Sequence, residues 1–230
     1  MRGKVLDFIP EYTKQAEENL SKSIKLMPTK AEAWEALGHV YWKKRDLEQA
    51  KATFEGSLEH DEKNKGALRN LSMVYRQLEK STSTGEMLDG EEKKKNYAKS
   101  IALAKDAIKL DMSDSQSWYV LGNAHLTNFF ANNESTKELE NALKAYSLAE
   151  KHLKEPNPDL HYNRATVLEY LERYSEAAAD FMKANAIDTN LGAEKRADGI
   201  IGFVSRAYNA ILNKGRIKTN RLVDMVRSIP

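Results

Sequence analysis

Several side chains in this sequence could hold another polypeptide, and almost none could break a bond. Glu35, Arg69, Arg76 and Asp159 supply both signs of charge, and Tyr119 and Tyr162 supply flat apolar surface tipped with a hydroxyl. Asn123 and Asn163 supply amides that both donate to and accept from a peptide backbone. His39, Met73 and Thr166 complete the set. Such a set suits charge-assisted hydrogen bonds to an extended segment of mixed charge. Catalytic patterns are absent: there is no phosphate loop, no G-x-S-x-G and no H-E-x-x-H. The five histidines (His39, His60, His125, His152, His161) are scattered without ligand-like pairing, so each reads as structural or surface. Neither an enzyme, a metal nor a cofactor is expected. A second feature is the basic C-terminal end, where Lys195, Arg196, Arg206, Lys214, Arg216, Lys218, Arg221 and Arg227 outweigh Glu194, Asp198 and Asp224. Read plainly it is a solvated cap. Read more sharply it is a set of point charges for a phosphate backbone.

The elements that position these residues are read from the stretch Trp34 to Leu58. Trp34, Leu37, Gly38 and Tyr41 follow the spacing W-x2-L-G-x2-Y, and Ala50 and Phe54 follow at A-x3-F, the pattern of a tetratricopeptide repeat. Trp34, Leu37 and Tyr41 share one face of a first helix. Gly38 and Ala50 are small enough to bring that helix close to a second, which carries Phe54 and Leu58 on the same seam. Arg45 and Asp46 occupy the turn between them.

The pattern recurs along the chain. Met1 to Pro28 reads as an incomplete repeat that begins inside an element, with Gly3 in a first helix and Ala16 and Leu20 in a second. Pro28 ends that second helix and Thr29 is the expected N-cap of the next. Leu68, Leu71, Ser72 and Tyr75 open a third repeat, followed by a solvated insert from Lys80 to Lys95 and a second helix from Tyr97 to Leu110 with Ala104 and Ala107 at its tight positions. Trp118, Leu121, Gly122 and His125 open a fourth, interrupted by an insert around Asn128 to Thr136 and completed by Ala142, Tyr146 and Ala149. Ala165, Leu168, Ala177, Phe181 and Ala184 mark a fifth. Ala193 to Asn213 reads as a capping helix, and Thr219 to Ser228 as a final short one. The fold class is therefore all-α, a solenoid of about five helix pairs over residues 1–190 with a capping helix and basic segment over 191–230.

In a repeat of this kind the first helices line a concave groove. Aligned on their small residues, they turn inward Glu35, His39 and Trp42 from the second repeat, Arg69, Met73 and Arg76 from the third, Tyr119 and Asn123 from the fourth, and Asp159, Tyr162, Asn163 and Thr166 from the fifth. The bland reading is an ordinary polar face between packed helices. Glu35 stands where a groove for purely acidic chain ends wants a lysine, so a mixed-charge peptide fits better.

Composition agrees with a long helical chain. Of 230 residues 41% are hydrophobic and 30% charged, with 5 Pro and 11 Gly, which suits helices with brief breaks. Cys is absent, which excludes disulfides and makes a reducing compartment the natural expectation. No apolar run approaches the roughly 20 residues of a membrane span, and the opening MRGKVLDF is too polar and short for a signal peptide. The net charge of +2 marks no overall polyanion binder.

Several phrases together carry a closer likeness. LGHVYWKKRDLEQA, NLSMVYRQL, SWYVLGNAHL, NPDLHYNRAT and KGRIKTNRL resemble the tetratricopeptide repeat protein 5 (Strap) family from about Gly3 to Pro230, insert positions included. The resemblance implies tubulin autoregulation: recognition of the N-terminus of nascent α- and β-tubulin at the ribosome exit, followed by decay of the translating messenger RNA through a decay adaptor. It also implies an alternative role as a cofactor of histone acetyltransferase coactivator complexes in stress transcription. A monomer in the cytoplasm, with a nuclear share, is the implied setting. The family's peptide-binding Arg falls on Arg76 and its groove Asp on Asp159. Tubulin's opening Met-Arg-Glu would then set its Glu against Arg76 and its Arg against Asp159. The family's ribosome-contacting lysines fall on the run Lys214 to Arg221. There Lys218 is kept while Asn220 stands in place of a lysine, shifting the expected contact toward Lys214, Arg216 and Arg221.

Overall fold

The structure, a computed structural model, describes residues 12–78, 87–131 and 135–212. These residues form ten α-helices and one 3-10 turn. They divide into two compact units, one ending at Lys154 and one beginning at Glu155. The first unit holds α1 (Lys14–Leu26), α2 (Ala31–Lys43), α3 (Leu47–His60), α4 (Lys65–Gln77), α5 (Gly90–Leu110), α6 (Ser115–Ala131) and α7 (Thr136–Lys151). The second holds α8 (Pro158–Tyr170), α9 (Tyr174–Ile187), the 3-10 turn Thr189–Leu191 and α10 (Ala193–Leu212). Helices adjacent in sequence pack on one another within each unit, and α4 also meets α6. The class is an all-α tetratricopeptide-repeat solenoid.

Helix starts are set by side chains that accept the otherwise unsatisfied first N–H groups. Thr13 accepts from Ala16, Asp46 from Gln49 at 3.2 Å, Asn64 from Ala67 at 3.0 Å and Asn157 from Leu160 at 3.0 Å. Pro158 follows Asn157 at the start of α8, where its missing N–H costs nothing. Lys30, not Thr29, caps α2, and it does so without a side-chain bond.

The ends follow another rule. Asp61, Asp111 and Asp188 close α3, α5 and α9 in extended backbone, and each Oδ1 accepts the N–H two residues on, at 3.0, 3.0 and 2.9 Å. Between paired helices the chain reverses through Arg45 and Glu172, whose φ of 66° and 57° lies in the left-handed region. There the N–H of Asp46 reaches the carbonyl of Tyr41, and that of Arg173 the carbonyl of Leu168.

Pairing depends on small residues facing large ones. A Cβ on Gly38 would lie 2.5 Å from the ring of Phe54, and one on Gly122 would lie 2.5 Å from the ring of Tyr146. Both rings are fully buried, an arrangement worth about 1.5–3 kcal/mol for each such side chain. The α4–α5 pair has Ser72 and Ser100 at the corresponding place, and the Ser72 hydroxyl donates to the Ser100 carbonyl at 2.8 Å. In the second unit Ala165 and Phe181 take the positions and both are buried. Trp34 and Trp118 are only half-buried, and each instead ties down the preceding turn by donating Nε1–H to the carbonyl of Pro28 or Met112, at 2.7 and 2.8 Å.

Two inserts are shorter than the sequence suggests. The charge run predicts a loop over Lys80 to Lys95, but α5 already begins at Gly90, ahead of Tyr97. The cause is a capping box: Asp89 accepts from the N–H of Glu92 at 2.8 Å while Glu92 accepts from the N–H of Asp89 at 3.2 Å. Helix α6 likewise runs through Asn128 to Ala131. Helix α10 packs on α9 in the second unit. Gly3 and the expected helix Thr219 to Ser228 lie outside the described residues.

Gly122→Ala must push the Tyr146 ring from its seat, so it is expected to destabilise the chain by about 1–3 kcal/mol although Ala favours helix. Urea unfolding measures this, and an unchanged midpoint would show that the seat can widen freely.

Candidate peptide-binding site

The first helices bring the expected residues together in three places. On α2 and α4, Glu35 and His39 lie one turn apart, with the His39 Nε2 3.9 Å from the Glu35 Oε1 and 3.0 Å from the Asn70 Nδ2. The His39 ring also stands edge-on to Phe54 at 5.6 Å. The Glu35 carboxylate reaches the start of α4, where a Cβ on Gly66 would sit 2.0 Å from its Oε1. A negative group there meets the positive end of the helix. His39 and, secondarily, Asn64 hold the Glu35 carboxyl below its ordinary range against the opposing effect of burial.

Arg69 and Met73, one and two turns along α4, are engaged by their own neighbours. Arg69 Nη1 pairs with the Asp114 Oδ2 at 2.7 Å, beside Lys65, whose Nζ meets the Asp111 Oδ2 at 2.7 Å. These ion pairs tie α4 to the junction of α5 and α6. Met73 packs with Ile101 and Trp118 against the buried cluster of Ala104, Ile108, Val120, Leu121 and Ala145. Both belong to the joint between repeats as much as to any open face.

Arg76 differs from its neighbours. It makes no ion pair among the described residues, and its Nε is enclosed without a hydrogen-bond acceptor. Burial pulls the guanidinium down from its ordinary value, and the neighbours that act on it are the phenols of Tyr146 and Tyr119 rather than a carboxylate. Tyr146 is fully buried and donates its hydroxyl to the Asn123 Oδ1 at 2.6 Å, and the Tyr119 ring lies 6.2 Å from its own. Burial drives the Tyr146 phenol well above its ordinary value, so it stays a neutral donor. A half-buried cation whose Nε is shut off from water beside two phenols is expensive to keep. It suits a carboxylate or carbonyl oxygen brought from outside.

In the second unit Asp159, Tyr162, Asn163 and Thr166 share one face of α8 by their spacing. Asp159 is exposed in the first helical turn. Thr166 returns its hydroxyl to the Tyr162 carbonyl at 3.1 Å. The Tyr162 ring meets Phe181 edge-on at 5.1 Å, and Arg196 lies over both rings while pairing with Glu169. In the first unit Trp42 packs against the buried cluster of Phe54, Val74 and Tyr75.

Sequence reasoning missed one buried and one half-buried pair. Arg164 grips Asp180 with Nε and Nη2, which braces α8 on α9. His125 Nδ1 meets the Glu138 Oε2 at 2.6 Å between α6 and α7. The signal was available for Arg164, a charged residue one position before the small Ala165 on an otherwise buried stripe. Lys214, Arg216, Lys218 and Arg221 lie outside the described residues. No group of carboxylates and histidines that could hold a metal occurs among the described residues, and no described helix is long and apolar enough to cross a membrane.

Glu35 provides a pH test. Because its folded value is depressed, its stabilisation is full above the ordinary value of 4.5 and is lost as pH falls through the lower folded value. Glu35→Gln is expected to show a shallower loss of stability than the parent below about pH 5. Superimposable acid melts would show that the carboxylate contributes nothing.

Comparison with known proteins agrees with this architecture. The tetratricopeptide repeat family model matches residues 31–64 and 158–191, which are α2–α3 and α8–α9 with the turns that follow them. Among solved structures, a thermophilic tetratricopeptide-repeat protein of Thermus thermophilus aligns with a TM-score of 0.61 at 19% identity, covering 81% of this chain and 89% of that one. MamA aligns at 0.54 and 17% identity, covering 80% and 90%. Both speak to the fold alone. Tetratricopeptide repeat protein 5 of Bos taurus and of Homo sapiens are each 40% identical over 232 residues, covering 100% of this chain and 51% of the relative. The chain thus spans about half the length of the curated relatives it matches. Repeats of this family support a protein-interaction adaptor. The chain carries tetratricopeptide repeats at residues 31–64 and 158–191 and is similar over its full length to tetratricopeptide repeat protein 5.

Proposed function

We propose that the chain is a non-catalytic adaptor that captures the N-terminal peptide of nascent α- and β-tubulin at the ribosome exit, and so triggers decay of the tubulin messenger RNA under translation. The observation that carries this reading is Arg76, a half-buried arginine whose enclosed Nε has no acceptor among the described residues. The similarity over the whole chain to tetratricopeptide repeat protein 5 supports the choice of peptide. The acidic third residue of Met-Arg-Glu supplies the carboxylate that Arg76 lacks among the described residues, in a charge-assisted bond beside Tyr119. Asp159, exposed in the first turn of α8, is the residue that the likeness pairs with the peptide Arg. The chain works as a monomer in the cytoplasm, with a nuclear share, and recruits a messenger-decay adaptor. A role as scaffold for histone acetyltransferase coactivators is the rival.

Arg76→Met separates these readings. Replacing a half-buried cation that has no ion-pair partner among the described residues with an apolar side chain of similar length is expected to leave stability unchanged or raise it by about 1 kcal/mol or more. The same change is expected to weaken binding of a Met-Arg-Glu-Ile peptide at least about thirty-fold, the loss typical for one member of a buried charge pair. Calorimetric titration and a thermal melt on the same sample check both. A variant that binds like the parent overturns the tubulin reading and leaves the scaffold.

The basic end is tested separately. Reversing Arg216 and Lys218 to Glu is expected to lower co-sedimentation with ribosomes while peptide capture persists. The parent's ribosome binding should fall steeply with added salt, as counterion release requires. Salt-insensitive binding would move the contact from RNA to ribosomal protein.

A further inference from the structure

Within the second unit, the end of α8 and the adjoining side of α10 form an open cleft of about 450 Å³. Its walls are aromatic: Tyr170 is 52% exposed, Phe203 is 49% exposed, and Tyr174 meets Phe203 edge-on at 5.4 Å. The buried Ile200 also lines it. Gly199 opens it, because a Cβ built there would meet nothing within 4 Å. A glycine inside a helix costs about 0.5–1 kcal/mol relative to alanine, and here no described residue takes the space. Large side chains standing half-exposed around an open glycine are what an anchor from another molecule needs.

The charge of the lining points to one kind of visitor. Glu169 is neutralised by Arg196, whose guanidinium is also fixed by the Tyr162 hydroxyl at 3.4 Å and by the Phe181 ring at 5.1 Å. Lys195, on the cavity wall, makes no hydrogen bond or ion pair among the described residues. What remains is an apolar cleft with one uncompensated cation. A volume near 450 Å³ lies within the usual range for ligand pockets of roughly 300–1,000 Å³ and exceeds the needs of one side chain. We propose that this cleft docks a short peptide carrying a Leu or Phe anchor flanked by Asp or Glu. The anchor enters between Tyr170 and Phe203 over Gly199, and the acidic neighbour pairs with Lys195. This site uses no residue of the Arg76 cluster and stands whether or not that cluster binds tubulin.

The probe is the peptide Ac-Asp-Leu-Phe-Asp-NH2, titrated into the full chain and followed by backbone-amide NMR. Saturable shifts centred on Gly199, Ile200 and Phe203 are expected. Ac-Lys-Leu-Phe-Lys-NH2 and Ac-Asp-Ala-Ala-Asp-NH2 should each bind at least about tenfold more weakly, the first for charge and the second for the anchor. Gly199→Leu fills the cleft and should abolish binding, with retention of fold checked by the melt because Leu is the better helix former. Lys195→Glu, a surface change, should reverse the preference between the acidic and basic peptides. Arg76→Met should leave this binding untouched, which distinguishes it from tubulin capture. Absence of shifts on α10, equal binding of the basic peptide, or wild-type binding by Gly199→Leu overturns the proposal. So does concentration-dependent dimerisation in sedimentation that buries Phe203, which would assign the cleft to a second copy of the chain.

Discussion

The approach of paired helices across a missing Cβ is the constraint on which the first unit rests. Gly38 and Gly122 each leave room for an aromatic ring that a single added carbon would strike at 2.5 Å. That contact sets which face of each first helix is sealed and which is left for other uses. Residues one position away inherit the consequence. His39 follows Gly38 and turns to Glu35 and Asn70, while Asn123 follows Gly122 and turns to the Tyr146 hydroxyl. The α4–α5 pair solves the same problem with a Ser72–Ser100 hydrogen bond. Without a ring to bury there, α4 is held by Arg69 and Lys65 to Asp114 and Asp111 instead.

Against this background Arg76 is the exception. Arg69, about 10 Å of helix rise away on the same α4, has its carboxylate at 2.7 Å, and Arg164 has Asp180 in the second unit. Arg76 is half-buried beside phenols and has an Nε without an acceptor among the described residues. Folding alone gives no reason for such a group, since apolar replacements of buried charges are neutral or stabilising. Its presence in a seam otherwise built for stability is the observation on which the proposed peptide site rests.

How much of this was legible in the sequence depends on the range of the interaction. The repeat spacing around Trp34 and Trp118, the small residues Gly38, Ser72, Gly122 and Ala165, and the turn at Arg45 all follow from local periodicity, which is a property of one or two helices. The start of α5 did not, because Asp89 and Glu92 sit in a run of charges that resembles a solvated loop until their reciprocal bonds are counted. The Trp34 ring belongs to the packed face by its spacing, yet its place at the helix start leaves it half-exposed and its indole N–H bound to Pro28. Angle alone assigns the groove residues, and angle says nothing of length. Met73 is long enough to reach the next repeat's apolar cluster, and Arg69 long enough to reach Asp114.

The same distinction separates the two cationic positions that matter for binding. A half-buried guanidinium beside Tyr119 and Tyr146, with its Nε shut off from water, is solvated less well than in water, so its demand for an anion is strong and specific in direction. An ammonium such as that of Lys195, standing at the edge of an open aromatic cleft, keeps its water and asks only for a favourable neighbour. Enclosed charge therefore selects a partner by a large penalty for leaving it unmet, whereas exposed charge beside apolar surface selects by modest preference among anchors. Fixed helix pairs make the first kind of site possible, because only a backbone that cannot relax will hold an arginine where it would otherwise turn to solvent.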